Sequence, residues 1–223
     1  MDVVQTINER FAVRAYKSDP VPLDLLKKIL QQALKAPSWA NTQPWEFAIA
    51  TGKPLKAIEN AFVKRGIQTP QSEVSRPYEF PEPYMSRIKA LHPKRDRGEE
   101  PREEYEARVL KNYRHYGAPA CIYLLIGKNF FYESKGINAW SLYDCGAIVQ
   151  NIMLLATNYG LGTVAQADAA DHPDVVHKEL CISDDKIVAL GIAIGYPDSN
   201  DPENKKRRDK VPLEDVVKFH GFN

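Results

Sequence analysis

Residues 137–159 (INAWSLYDCGAIVQNIMLLATNY) are apolar on almost every face of a helix, with small residues at Gly146, Ala147 and Ala156. A helix that is hydrophobic all round must be surrounded by protein, so this segment predicts a long helix buried in the centre of the fold. Two further apolar runs, 118–127 (APACIYLLIG) and 187–195 (IVALGIAIG), are too short for such a helix and rich in β-formers. They read as buried strands. Any fold for this chain has to wrap a helix and a sheet around one another.

The remaining elements follow from periodicity and punctuation. Val3, Val4, Ile7 and Phe11 recur at helical spacing and place a first helix over residues 2–10. A turn at Ser18-Asp19-Pro20 precedes a second helix, whose Leu23, Leu26, Ile29, Leu30, Ala33 and Leu34 form one apolar face before Pro37. Residues 45–50 (WEFAIA) read as a strand, 54–64 and 173–180 as helices, and 211–219 as a short closing element. Strands and helices do not alternate regularly, which favours an α+β fold over a doubly wound sheet. Residues 66–110 are crowded with prolines and charges and show little period, so they read as an insertion on the surface of a single domain, helical character returning from Arg102.

Charge excludes some functions. The 30 Lys+Arg residues nearly balance 29 Asp+Glu, and no basic excess points to nucleic acid or a membrane surface. No apolar run approaches the roughly 20 residues of a membrane helix. The start, MDVVQTINERF, lacks the apolar core of a secretory signal, and Cys121, Cys145 and Cys181 are odd in number with no CxxC spacing. The expected setting is the reducing cytoplasm.

Three constellations remain for chemistry. Arg10 and Arg14 are four residues apart, and a second basic cluster, Lys205-Lys206-Arg207-Arg208 with Lys210, follows the Gly195-Tyr196-Pro197 turn. Two guanidinium clusters can clamp one phosphate, although a solvated charge run is the plainer reading of either alone. The loop Pro37-Ser38-Trp39-Ala40-Asn41-Thr42-Gln43-Pro44-Trp45 holds more polar and aromatic groups than a connector needs. Amides match the edge of a planar heterocycle and indoles wall its face. Trp45 is assigned to the core, which leaves Ser38, Asn41 and Gln43 without a structural task. The third is Gly160-Leu161-Gly162-Thr163, leading into Val164-Ala165-Gln166-Ala167-Asp168. It follows a helix, so it is not a dinucleotide fingerprint, and it reads either as a helix stop or as a source of backbone donors. No metal is expected, because His92, His115, His172, His177 and His220 show no paired ligand spacing. His115 and His220 read as packed or surface histidines. Asp144, inside the central helix, needs a hydrogen-bond partner.

In this order the motifs resemble the nitroreductase family of FMN-dependent oxidoreductases, and the insertion and the His220-Gly221-Phe222 ending resemble its nitrobenzoate and nitroaromatic reductase branch. The resemblance implies an α/β/α sandwich with a mixed, mainly antiparallel sheet, and an intertwined homodimer with FMN at the subunit interface. It implies that Arg10, Phe11, Ala12 and Arg14, with Arg207 or Arg208 and Lys210, hold the phosphate end of the flavin. Pro37, Ser38, Trp39, Asn41 and Gln43 would come from the other subunit. Ala165, Gln166, Ala167 and Asp168 would line the isoalloxazine edge. Phe11 and Ala12 stand where the family commonly has Arg and Ser, so a hydroxyl toward the phosphate is missing. The implied reaction is ping-pong: hydride from NADH or NADPH to the flavin, then reduction of a nitroaromatic or quinone-like acceptor, with no protein side chain required as acid or base. Tyr78, Phe80 and Tyr84 are candidates for a substrate lid. Reductive dehalogenation, flavin fragmentation or non-catalytic flavin binding are the alternative tasks.

Overall fold

Every pair of neighbouring strands in the central sheet runs antiparallel, in the order β1 (Trp45–Thr51), β2 (Ala120–Gly127), β6 (Lys186–Gly195), β5 (Gly162–Gln166). The computed structural model describes residues 1–67, 70–75, 79–91, 93–133 and 136–222. Along the chain lie α1 (Val3–Glu9), α2 (Leu23–Ala33), β1 (Trp45–Thr51), α3 (Gly52–Arg65), α4 (Tyr84–Leu91), α5 (Pro93–Asp96), α6 (Arg102–Tyr113), β2 (Ala120–Gly127), α7 (Lys128–Phe131), β3 (Tyr132–Glu133) and β4 (Gly136–Ile137). There follow α8 (Ala139–Asn158), β5 (Gly162–Gln166), α9 (Pro173–Leu180), β6 (Lys186–Gly195) and α10 (Leu213–Val216). The fold is α+β, as the pattern predicts. Among the described residues, the parallel component is one bridge, Ala12 with Thr163.

The sheet divides the interior into two apolar layers because its residues alternate between faces. On one side Ile122, Leu124, Ile126, Ile192 and Ile194 pack with α2 (Leu26, Ile29, Ala33) and α8 (Cys145, Ile148, Ile152, Ala156). On the other, Cys121, Tyr123, Leu125 and Val188 pack with α3 (Leu55, Ile58, Phe62), Tyr113 of α6 and Val175 and Val176 of α9. This is the expected sandwich of helix, sheet and helix.

Three local readings need correction. The long helix begins later than its apolar pattern does: Ile137 pairs with Tyr132 in a two-stranded ladder, and the Asn138 side chain caps α8 through the Trp140 N–H at 3.1 Å. Its central stretch is buried as expected, yet Trp140 and Tyr143 at its start are exposed. Before Arg102, where the pattern shows little period, the insertion carries two short helices, α4 and α5, while α6 follows the helical character expected from Arg102. α4 buries no residue, and α6 is charge-rich, pairing Arg102 with Glu106 four residues on, while Val109, Leu110 and Tyr113 pack it against the core. Finally, the apolar residues of α1 face outward: Val3, Val4 and Ile7 are all more than half exposed within the single chain.

Candidate functional site

The segment after α1 is held as an extra ribbon against the edge of the sheet. Val13 N–H donates to Thr163 O (3.0 Å), and the Tyr16 hydroxyl donates to Val13 O (3.1 Å) and Ala193 O (3.3 Å). Lys17 N–H donates to Tyr196 O (2.9 Å), and Tyr16 bridges Pro197. These bonds bring the first arginines, the Gly160-Leu161-Gly162-Thr163 turn and the Gly195-Tyr196-Pro197 turn into one neighbourhood. Gly162 is required by this packing: a Cβ there would stand 2.4 Å from Val13 Cγ2 and 2.8 Å from Pro197 Cγ.

The two basic clusters meet through Asn204, a buried residue that sequence reasoning passed over. Its Oδ1 accepts from the Arg14 N–H (2.9 Å), and its Nδ2 donates to Ala15 O (2.7 Å) and Asp198 O (2.9 Å). Its backbone carbonyl accepts from Arg207 Nη1 at 2.7 Å. The Arg207 guanidinium lies over the Phe11 ring, 3.6 Å from the centroid. Phe11 therefore positions a cation by stacking where the family commonly has a second arginine. A lone Asn next to a charge run carries no sequence signal, because its partners are up to 190 residues away.

Arg14 and Arg208 line a cavity of about 570 Å³ together with Tyr116, Asp168, Glu203 and a wall from the insertion: Leu91 and, from α6, Ala107, Arg108, Val109, Lys111 and Asn112. Arg14 lies 6.0 Å from the Tyr116 ring centroid. Burial raises the Tyr116 hydroxyl above its ordinary value, with Arg14 opposing, so it is a neutral donor at pH 7. Arg108 is held by Glu100 at 3.1 Å. The donor set, three arginines and a lysine around a cleft of this size, suits a phosphorylated planar ligand.

The other named residues fall as follows. Arg10 is half-buried at the end of α1, its N–H on Thr6 O (3.0 Å), and Ala12 forms the bridge to Thr163. Ala165 and Ala167 are exposed at the end of β5. Gln166 is buried, and its side-chain amide is engaged by His115 and Asn112. Asp168 accepts from Asn112. Lys210 is exposed. Among the described residues, Phe80 and Tyr84 are not among those that line the cavity, whereas Leu91 and residues of α6 are. Tyr84 stacks instead with Arg87. Tyr78 lies outside the described residues.

The amide-bearing loop stands elsewhere on the chain. None of Pro37, Ser38, Trp39, Asn41 and Gln43 is among the residues that line this cavity. The loop is nevertheless built with care. Trp39 N–H donates to both carboxylate oxygens of Asp144 at 3.1 Å, which answers the need of that buried acid, and Ser38 Oγ accepts from Gln43 N–H at 3.0 Å. Ala40, Asn41 and Gln43 all have positive φ (47°, 59° and 48°). Left-handed non-glycine residues cost roughly 1 kcal/mol or more each and persist only where surroundings impose them. Asp144 thus holds a strained loop that presents Trp39, Asn41 and Gln43 to the outside. Among the described residues no helix is long and apolar enough to cross a membrane, and no group of three His, Cys, Asp or Glu could hold a metal.

Comparison with known proteins matches this arrangement. A model of the nitroreductase family covers residues 7–196. The chain is 30% identical over 225 residues to the nitrobenzene nitroreductase of Ectopseudomonas oleovorans, covering 96% of this chain and 94% of that one. It is 28% identical over 232 residues to the 4-nitrobenzoate reductase of Pseudomonas putida, covering 100% and 97%. Among solved structures, the FMN and NADPH-dependent nitroreductase NfnB from sphigopyxis sp. strain HMH superposes with a TM-score of 0.89 at 28% identity over the whole of both chains. With a family match running from the end of α1 through the Gly195-Tyr196 turn, the chain belongs to the nitroreductase family.

Proposed function

We propose that this protein is an FMN-dependent oxidoreductase that takes electrons from NADH or NADPH and reduces small aromatic acceptors, nitroaromatics first and quinone-like compounds second. The observation that carries the reading is that Asn204 ties together two parts of the sequence 190 positions apart: Arg14 and Arg208 line one cavity, and Arg207 bonds the Asn204 carbonyl. The names of relatives that reduce nitrobenzene and 4-nitrobenzoate, and of an FMN and NADPH-dependent structural neighbour, support it.

Arg10, Arg14, Arg207 or Arg208, and Lys210 hold the phosphate end of the cofactor, with Phe11 fixing the Arg207 plane. FMN held here would supply the redox chemistry between the nicotinamide and the acceptor. The protein would orient it, and the cations that line the cleft, Arg14, Arg108, Lys111 and Arg208, would favour its electron-rich form. Backbone from Ala165 to Asp168 lines the ring edge, and α6 with Leu91 covers the cleft and excludes water.

The site is completed by a second copy of the chain. Ser38, Trp39, Asn41 and Gln43 are displayed away from their own chain's cavity, with Trp39 60% exposed. Large apolar side chains are exposed on α1, at the start of α8 (Tyr143, 74%) and in the C-terminal tail (Phe219; Phe222, 80%). Scattered exposed apolar residues are ordinary, and the size of these on several elements supports the reading that a second copy covers them. A homodimer that buries them delivers the amide loop of one subunit to the arginines of the other.

The test is to purify the protein, titrate it with FMN and follow oxidation of NADPH and NADH with nitrobenzoate and quinone acceptors. Parallel double-reciprocal lines support one cleft used in turn. Arg14→Ala is expected to lower FMN affinity by about 10- to 150-fold, the equivalent of 1.5–3 kcal/mol for one charged hydrogen bond. FMN binding without turnover would make the protein a flavin carrier, and turnover only with a halogenated phenol would make it a dehalogenase.

A further inference from the structure

The turn between α6 and β2 holds three successive residues with positive φ: His115 (48°), Tyr116 (56°) and Gly117 (81°). Two of them carry side chains and cost of order 1–3 kcal/mol each in this conformation. The turn sends Tyr116 to the cavity wall and His115 into the interior, where it is fully buried. The His115 Nε2 lies 3.0 Å from the Tyr123 hydroxyl, and its Nδ1 lies 3.1 Å from Gln166 Oε1. Gln166 Nε2 donates to Asn112 O at 3.0 Å and to Asn112 Oδ1, and Asn112 Nδ2 donates to Asp168 Oδ2.

Donor and acceptor chemistry fixes the direction of this string. An amide oxygen only accepts, so Nδ1 carries the imidazole proton. Burial lowers His115 to about 4, so the ring is neutral and Nε2 accepts from the Tyr123 O–H. All four links then point one way: Tyr123 to His115, His115 to Gln166, Gln166 to Asn112, Asn112 to the Asp168 carboxylate. A break in the middle leaves buried groups unpaired on both sides, which costs more than one bond. The last two members stand at the cavity. Asn112 belongs to the α6 wall with Arg108 and Lys111, and Asp168 follows β5.

We propose that His115 is a positioning residue for the cofactor cavity: through Gln166 and Asn112 it fixes Asp168 and locks the α6 wall to the end of β5. The proposal rests on the FMN reading above for what the cavity holds. It assigns the strained turn a purpose, since one backbone device places both Tyr116 at the cavity and His115 in the string.

The experiment compares FMN affinity of the apoprotein in His115→Asn and His115→Phe with the native chain, each variant checked by its melting transition. An Asn amide nitrogen takes the place of Nδ1 and still donates to Gln166. Phe preserves the ring volume and donates nothing. The string predicts that His115→Asn stays within about threefold of the native affinity while His115→Phe loses about tenfold or more. A residue that only fills space gives the reverse order, Phe being the closer in volume, and that order or equal affinities overturns the proposal. The ring itself is read in the native protein by nitrogen-15 spectroscopy, which does not depend on either variant folding. A neutral ring protonated at Nδ1 is the expected result. A proton on Nε2, or a charged ring at pH 7, overturns it. A native protein that takes up no FMN would strike the functional reading, and the ring measurement would still decide the string.

Discussion

Asn204→Ala removes the joint between the two arginine clusters, and its cost follows from its bonds. The side chain makes three: to the Arg14 N–H at 2.9 Å, Ala15 O at 2.7 Å and Asp198 O at 2.9 Å. The two carbonyls keep second partners, since Ala15 O also accepts from Asp198 N–H (3.1 Å) and Asp198 O from Asp201 N–H (3.3 Å). Their losses are therefore small, about 0.5 kcal/mol each, whereas the Arg14 N–H is left part-buried and unpaired at roughly 1–3 kcal/mol. The expected destabilisation is about 2–4 kcal/mol, read from urea unfolding at pH 7 with an unchanged slope. The same variant removes the side-chain anchors of the segment whose backbone carbonyl Arg207 grips, so FMN affinity of the folded apoprotein is expected to fall by about tenfold or more. A variant that loses stability as calculated but binds FMN like the native chain would refute the idea that Asn204 shapes a phosphate clamp.

Three more outcomes follow from the structure. His115 sits at about 4 in the folded chain against 6.5 when free, so as pH falls the unfolded state takes up its proton first. Stability is complete above pH 6.5 and declines toward pH 4 by up to about 3 kcal/mol, with His172, also lowered by burial, adding in the same direction; denaturation at pH 7 and pH 4.5 should show a smaller acid loss in His115→Phe than in the native chain. Asp144→Ala removes the carboxylate that holds the Trp39 N–H and is expected to cost about 1.5–3 kcal/mol and to weaken FMN binding, measured by melting and flavin titration. Gly162→Ala would push a methyl group against Val13 and Pro197, an overpacking cost of about 1–3 kcal/mol in chemical denaturation.

The elements that declared themselves in sequence are those with a strong local period. The two apolar strands, α2 and the core of α8 follow from hydrophobic patterning alone, and α9 was placed to the residue. In the insertion, α4 buries no residue and so leaves no apolar stripe in the sequence, whereas α6 turns Val109, Leu110 and Tyr113 to the core and is legible as helix from Arg102. For the site, arginines, amides and glycines at motif spacing were visible. Asn204, Asn112, His115 and Tyr116 were not, since their roles depend on partners far away in the chain or on a positive-φ turn that no residue type announces. The inward turn of the Gln166 side chain to His115 is likewise not legible, because it depends on a partner 51 residues away.

The central claim, that one subunit's arginines and its mate's amide loop grip one flavin, is tested most directly by complementation. Chains carrying Arg14→Ala are mixed with chains carrying Asn41→Ala and Gln43→Ala, each defective alone, and the mixed dimers are isolated by distinct tags. A shared site predicts recovery of one tightly bound FMN per mixed dimer, because one of its two clefts combines intact arginines with an intact loop. No recovery in a stable mixed dimer would place both groups in the same chain's site and contradict the account.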